Sequence, residues 1–276
     1  MGDGNWFVRA PREVQIGVVI FVVIVLVSLA APLIAPFPPN EPDLANNLRP
    51  PSSTHWMGTD SSGRDVFSRV LFGMRSNLTV IVLVTAFGLV VGTLVGTIAG
   101  YFGGWVDVVI SRVADTAIAF PFLVVVLTFV AIIGVGTLGV CLGIAAVGWA
   151  PYSRLARTQM ITLREQEFVL ATTALGYSRP RIVGRHMLPN VVQPGLTYST
   201  IDSVSNLVAL AAMSYLGFGA QPPNPDLGSI IASGQPYLLS AWWISTLPAL
   251  MLVLLGIGVG LIGDGLASKQ HQGVLL

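Results

Sequence analysis

Apolar residues come in long runs broken by short polar clusters, and these runs set the element list. From Val14 to Ala35 the chain is almost wholly apolar, with no charge between Glu13 and Glu41. About 20 residues cross a bilayer as a helix. This run therefore predicts a first transmembrane helix, too long for a signal-peptide core. Arg75 and Asp107 enclose a second charge-free stretch, with a core from Leu78 to Gly100. Asp115 and Arg154 enclose a third, roughly 57 Å long as a helix and close to two bilayer cores. Its Gly134–Gly139 segment reads as the turn between two spans. A fifth span follows Pro189 and ends near Leu216, and a sixth runs from Ala241 to Gly263. Gly88, Gly92, Gly96 and Gly100 recur every fourth residue and mark a face for close helix packing in lipid.

Composition narrows the class. Of 276 residues, 53% are hydrophobic and 10% charged, against about 25% charged in soluble domains. Mean hydropathy is +0.76. These values exclude a disordered chain and an ordinary soluble enzyme, and they predict an all-α integral membrane protein of six helices. A net charge of +1 gives no reason to expect nucleic acid binding. Cys141 stands alone and cannot form an internal disulfide. The single lysine, Lys269, has no GxxxxGK[ST] pattern before it, so the chain lacks that phosphate-cradling loop.

Six spans put both termini on one side. With the N-terminus inside, Arg9, Arg12, Arg154, Arg157, Arg164, Arg179, Arg181, Arg185 and Lys269 lie inside, against Arg49, Arg64, Arg69 and Arg75 outside. The positive-inside rule then predicts an N-in/C-in protein. Trp242 and Trp243 fit an interfacial aromatic belt. Residues 1–13 form a cytoplasmic N-terminus, 14–35 the first helix, and 36–77 an extracytoplasmic loop. A five-helix core occupies 78–266, and 267–276 is a cytoplasmic tail. The outer loop has a proline-rich, extended half (Pro36–Pro51) and an amphipathic half (Asp60–Asn77). In the second half Val66, Phe67, Val70, Leu71 and Met74 share a helical face opposite Ser68, Arg69 and Arg75. That helix either lies at the membrane interface or packs on the protein's own outer surface.

The longest inner polar stretch, about 154–190, reads as two short helices around a turn. Phe168, Ala171 and Leu175 make an apolar stripe, Gly176 can take the left-handed cap conformation, and Ser178 and Pro180 suit the start of the next helix. Pro189 ends that helix before the fifth span. A docking unit and a solvated, topology-setting loop are both compatible with this pattern.

Phe168-Val-Leu-Ala-Thr-Thr-Ala-Leu-Gly176, then Arg181-Ile and His186-Met-Leu-Pro-Asn190, resembles the EAA loop of binding-protein-dependent ABC importer permeases. Ala171, Gly176, Leu188 and Pro189 keep the pattern; Leu170 replaces the glutamate and Thr172 the second alanine. Gly58-Thr-Asp-Ser-Ser-Gly-Arg-Asp-Val-Phe-Ser-Arg69 and Ser214-Tyr-Leu-Gly-Phe-Gly219 are similar to segments of the dipeptide/oligopeptide/nickel branch. The resemblance implies a DppC/OppC-like subunit with the type I importer (MetI-like) fold in a prokaryotic inner membrane. It further implies a second homologous permease (DppB/OppB-like), two ATPase subunits that bind ATP and Mg, an extracytoplasmic substrate-binding protein, and no cofactor on this chain. Peptides are the implied substrate, with nickel, glutathione or a similar solute as the alternative. Phe168, Leu170, Ala171, Thr172, Leu175, Gly176, Arg181, Leu188 and Pro189 are the implied ATPase-coupling residues.

Asp202 is the one ionisable residue deep in an expected span and is the candidate for the translocation path. It either contacts a substrate amino terminus or bonds structurally to Ser203, Ser205, Asn206 or the partner subunit. Arg112 is spaced to pair with Asp115. An intramembrane enzyme is disfavoured, because His55, His186 and His271 all lie outside the expected spans and no serine sits in a GxSxG elbow. A stand-alone secondary transporter is disfavoured by the single deep charge and the lack of a clear internal repeat.

Overall fold

The computed structural model describes residues 12–273, and only the backbone of Leu170 and of 266–273. The expected cation Arg9 and the side chains of Lys269 and Leu170 therefore lie outside what is described. In chain order the helices are α1 (Arg12–Leu29), α2 (Ala31–Ile34), α3 (Val66–Phe102), α4 (Gly104–Ala119), α5 (Phe122–Ile133) and α6 (Thr137–Arg164). They continue as α7 (Glu167–Ala174), α8 (Arg179–Ile182), α9 (Leu188–Tyr215), α10 (Leu227–Gly234) and α11 (Trp243–Gly273). No strand forms among the described residues. The chain divides into two compact units, Met1–Val82 with Val130–Val140 and Ser203–Leu276, and Leu83–Phe129 with Cys141–Asp202.

In the first unit α1 packs along α11. Its buried positions are Val14, Gly17, Ile24 and Ser28, while Val19, Val22, Val23 and Leu26 point outward. The backbones meet closely: a Cβ on Gly17 would stand 2.6 Å from the Leu261 Cβ. Val66, Val70 and Met74 join Ile24, Leu207, Leu227, Trp243 and Leu255 in one core. The amphipathic face of 60–77 thus packs on the protein itself, which decides between its two readings. Nor is it a separate loop helix, because Val66–Phe102 is a single helix of 37 residues. Without glycine or proline between Met74 and Leu78 the helix has no reason to stop. Trp243 is 6% exposed and its Nε1 donates to the Thr59 carbonyl at 3.2 Å. Of the expected aromatic belt, Trp242 alone faces outward.

The second unit is built on the crossing of α3 and α6. Added Cβ atoms would lie 2.3 Å from the Trp149 carbonyl at Gly92, 2.2 Å from that of Ser153 at Gly96 and 2.7 Å from that of Arg157 at Gly100. The small-residue face is therefore a direct backbone contact. Helices α4 and α5 bend by 90°. Phe120 is extended there, as the residue before Pro121 must be. Alone, the 12-residue α5 is too short to cross. A span made of the α4–α5 pair would therefore not fit between the charges at 115 and 154. Its first half, α4, carries Asp107, Arg112 and Asp115, and the aspartates are neutralised from α6. Arg157 binds Asp107 through two nitrogens, one contact being 2.6 Å, and Arg154 meets Asp115 at 2.6 Å. Arg112 does not pair with Asp115.

Helices α1, α3, α6 and the Trp243–Gly265 part of α11 are each long and apolar enough to cross a membrane, and the α4–α5 pair makes a fifth if it acts as one span. Helix α9 has 28 residues, but Gln193, Thr197, Thr200, Asp202 and Asn206 dilute its apolar character. At the far end α11 runs on to Gly273, into the stretch expected as a tail.

Candidate functional site

The loop between α6 and α9 is a folded platform. Arg164 closes α6 and donates to the Gly100 carbonyl at 3.2 Å. After two turn residues α7 begins at Glu167. Among its described side chains Val169 is buried, packed with Ala156, Met160, Ile182, Met187 and Val191. The hydroxyls of Thr172 and Thr173 return to the Val169 carbonyl at 2.9 and 2.8 Å. The opposite face carries Phe168 (40% exposed), Ala171 and Leu175 (76% exposed).

The turn after α7 is set by Gly176. Its φ is +77°, and its N–H donates to the Thr173 carbonyl while the Tyr177 N–H reaches that of Thr172. This paired pattern satisfies the last carbonyls of a helix and needs a left-handed residue at its hinge. No atom lies within 4 Å of where a Gly176 Cβ would be, so conformation and not space requires glycine. Tyr177 then leans on His186, and the Arg181 guanidinium sits 5.7 Å from its ring centre. Ser178 occupies the N-cap position of α8 but its side chain makes no capping bond; Pro180 stands in the first turn.

Pro189 does not end a helix. From Arg179 to Tyr215 the chain stays helical, through a five-residue π turn at Val183–Met187. Leu188 donates to the Val183 carbonyl five residues back. The wider turn lets the chain pass a proline, which has no N–H to give and crowds the carbonyl before it. Leu188 and Pro189 thus open α9 and stand apart from the exposed row of Phe168, Ala171 and Leu175.

Asp202 belongs to another cluster. It is 9% exposed, and the Tyr152 hydroxyl donates to its Oδ2 at 2.9 Å. Tyr198, one turn earlier, sits edge-on to Tyr152 at 5.0 Å. Tyr152 is fully buried and was invisible to local pattern, since 50 residues separate it from Asp202.

The two other motifs are held by bonds inside the chain. In Gly58–Arg69 the Asp60 carboxylate accepts from the Ser62 and Arg64 N–H groups and the Arg64 Nε at 2.8, 3.0 and 2.8 Å. Arg69 lies 3.6 Å from Asp60 and donates to the Pro39 carbonyl at 3.0 Å. Asp65 accepts from the N–H and hydroxyl of Ser68 at the start of α3, and its other oxygen meets His55 Nδ1 at 2.9 Å. In Ser214–Gly219, Gly217 (φ +87°) ends α9 with the same paired turn, the Phe218 N–H reaching the Met213 carbonyl. Beyond it, Asp226 caps α10 by accepting from the Ser229 N–H at 3.2 Å. Burial pushes the Asp226 carboxyl above its ordinary range, against the pull of the Ser229 and Gly228 N–H groups.

The family described as the binding-protein-dependent transport system inner membrane component matches residues 92–272, and the N-terminal transmembrane domain of oligopeptide transport permease C matches 14–51. The chain belongs to this permease family. Among curated relatives, the dipeptide transport system permease protein DppC of Alkalihalophilus pseudofirmus is 36% identical over 91% of this chain and 83% of its own length. The probable D,D-dipeptide permease DdpC of Escherichia coli K12 is 34% identical over 95% and 88%. The glutathione permease GsiD of Escherichia coli O6:K15:H31 is 36% identical over 89% and 81%. A structure of the MetNI methionine ABC transporter in an inward-facing conformation superposes on 72% of the permease and 94% of its own chain, with a TM-score of 0.56 and 21% identity. That likeness establishes the fold. The permease is thus an inner-membrane component of a transporter.

Proposed function

We propose that this permease forms half of the path of an ABC importer for peptides and couples to separate ATPase subunits through Glu165–Arg185. Six spans, α1, α3, the α4–α5 pair, α6, α9 and α11, with both termini inside, would place that segment in the cytoplasm. A homologous second permease lines the other half of the path. Two ATPase subunits carry the ATP and Mg, and an extracytoplasmic binding protein delivers the substrate. The relatives named for dipeptides support a peptide substrate; the glutathione relative, equally identical, favours glutathione as the second reading.

The observation that carries the coupling reading is an inversion of the usual burial order. Val169, Ile182 and Met187 anchor the loop, yet Phe168 and Leu175 stand outside with no internal role. A helix that buries Val169 while Phe168 and the following Leu175 stand exposed is shaped for a partner groove. Closure of the ATPase dimer on ATP would draw the two coupling segments together and switch the path from inward-open to outward-open. Asp202 enters the proposal together with Tyr152, which already holds its carboxylate. Uptake and selectivity unchanged in Asp202→Asn would reduce the pair to packing.

The decisive experiment co-expresses the permease with its transporter partners and recovers the complex in mild detergent. The expected yield is one second permease and two ATPase subunits, with the ATPases lost in Gly176→Val. Purification of the chain alone and monodisperse, or normal ATPase stimulation in Gly176→Val, would overturn the reading.

A further inference from the structure

A cavity of about 420 Å³ in the second unit has no place in the mechanism above. It is lined by Thr97, Ile98, Tyr101 and Phe102 from the last turns of α3, and by Arg179, Pro180 and Val183 from α8 and the π turn. Its chemistry is divided. Among the described residues the walls are aliphatic and aromatic, with one cation and no acidic residue lining it. Arg179 is exposed and makes no ion pair among the described residues.

A second, independent feature points to a ligand. Thr97 is 6% exposed, and its hydroxyl has no hydrogen-bond partner among the described residues. Thr79, Thr116, Thr128, Thr158 and Thr162 all return their hydroxyls to the carbonyl four residues back. Thr97 does not, and an unmet buried hydroxyl is costly. The helix that carries it is one of the bilayer-crossing helices, and Ile98 and Phe102 at the cavity's edge are 45% and 65% exposed. One side of the cavity therefore opens on the lipid-facing end of a span, and the other on an arginine.

We propose that this cavity holds an anionic phospholipid, its phosphate on Arg179, an ester oxygen accepting from the Thr97 hydroxyl, and an acyl chain along Ile98, Tyr101, Phe102, Pro180 and Val183. A free anion would find one cation and greasy walls, and an apolar side chain from a neighbouring subunit would leave Thr97 unmet. The bound lipid ties the first turn of α8, which begins three residues after Gly176, to the end of α3. That it steadies the coupling segment rests on the coupling reading; the binding itself does not.

The test is native mass spectrometry of the full chain in mild detergent. The probes are palmitoyl-oleoyl phosphatidylglycerol and the phosphatidylcholine with the same chains. The expected result is one retained phosphatidylglycerol where phosphatidylcholine is lost. Arg179→Gln should weaken it about tenfold, the loss of one charge-assisted contact. Ile98→Trp should abolish it by filling the cavity, and Arg75→Gln, an exposed arginine elsewhere, should leave it unchanged. Equal retention of the two lipids, or an unaltered Arg179→Gln, overturns the proposal. So does displacement by millimolar inorganic phosphate, which would mean a simple anion site. Crosslinking of Ile98→Cys to another subunit in the assembled transporter would assign the cavity to a protein contact and equally overturn it.

Discussion

The segments Gly58–Arg69 and Glu165–Arg185 invert each other. In the first, charged and polar side chains are buried: Asp60, Asp65, Ser68 and Arg69 are all under 9% exposed and every carboxylate is engaged. In the second, Phe168 and Leu175 are exposed, as are Arg179, Arg181 and Arg185. Buried polar groups that satisfy one another specify a local fold. Exposed apolar groups on a well-anchored helix specify a partner. Two equally prominent motifs therefore carry different messages, and burial tells them apart.

Stability and assembly should separate along this line. The largest effect is expected for Asp60→Ala, which leaves buried Arg69 without its carboxylate; removing one member of a buried ion pair costs about 3–5 kcal/mol. Thermal unfolding of the purified chain in detergent would read this as a sharp loss of Tm or as failure to accumulate. Gly63→Ala follows. Its φ is +76° and the new Cβ would stand 1.6 Å from the Asp43 carbonyl, so the turn must open, at about 3 kcal/mol. Gly176→Val also forces a side chain into the left-handed region but meets no atom, so about 1–2 kcal/mol is expected. Its Tm should fall far less than that of Gly63→Ala, while ATPase retention is lost. A Gly176→Val chain as unstable as Gly63→Ala would erase the contrast.

Smaller effects sharpen it. Phe168→Ser with Leu175→Ser should leave the stability of the isolated chain within about 0.5 kcal/mol of unchanged, and so its Tm nearly so. Pull-down of the ATPase should nonetheless weaken at least tenfold, as loss of two interface anchors would cause. The smallest effect concerns Asp226. Its folded pKa lies above the unfolded value, so its contribution to stability is fully present below the ordinary carboxylate range and is lost as pH rises through the raised folded pKa. Asp226→Asn should remove that slope from a pH series of unfolding midpoints and leave α10 capped.

Legibility followed range along the chain. The Gly176 turn was readable because glycine, serine and proline act within a few residues of themselves. The spans α1, α3, α6 and α11 were readable from apolar length. The rest needed distant partners. Asp107 and Asp115 looked like span boundaries because Arg157 and Arg154, which neutralise them, lie far along the chain. Trp243 looked like a belt residue because Thr59, its acceptor, is 184 positions away. Pro189 looked like a stop because a π turn leaves no local mark. The exposed row Phe168, Ala171 and Leu175 was visible as a stripe, but its outward direction depended on Val169 finding Met160 and Met187.

The crossing of α3 and α6 also limits how this protein can change over generations. Gly92, Gly96 and Gly100 each rest on one particular carbonyl of the facing helix. Adding or losing one residue in either helix turns everything beyond it by about 100°. The glycines would swing out of the seam and bulky neighbours would swing in. The seam therefore ties the spacing from Gly92 to Gly100 to that from Trp149 to Arg157, so a change of length inside one must be matched in the other.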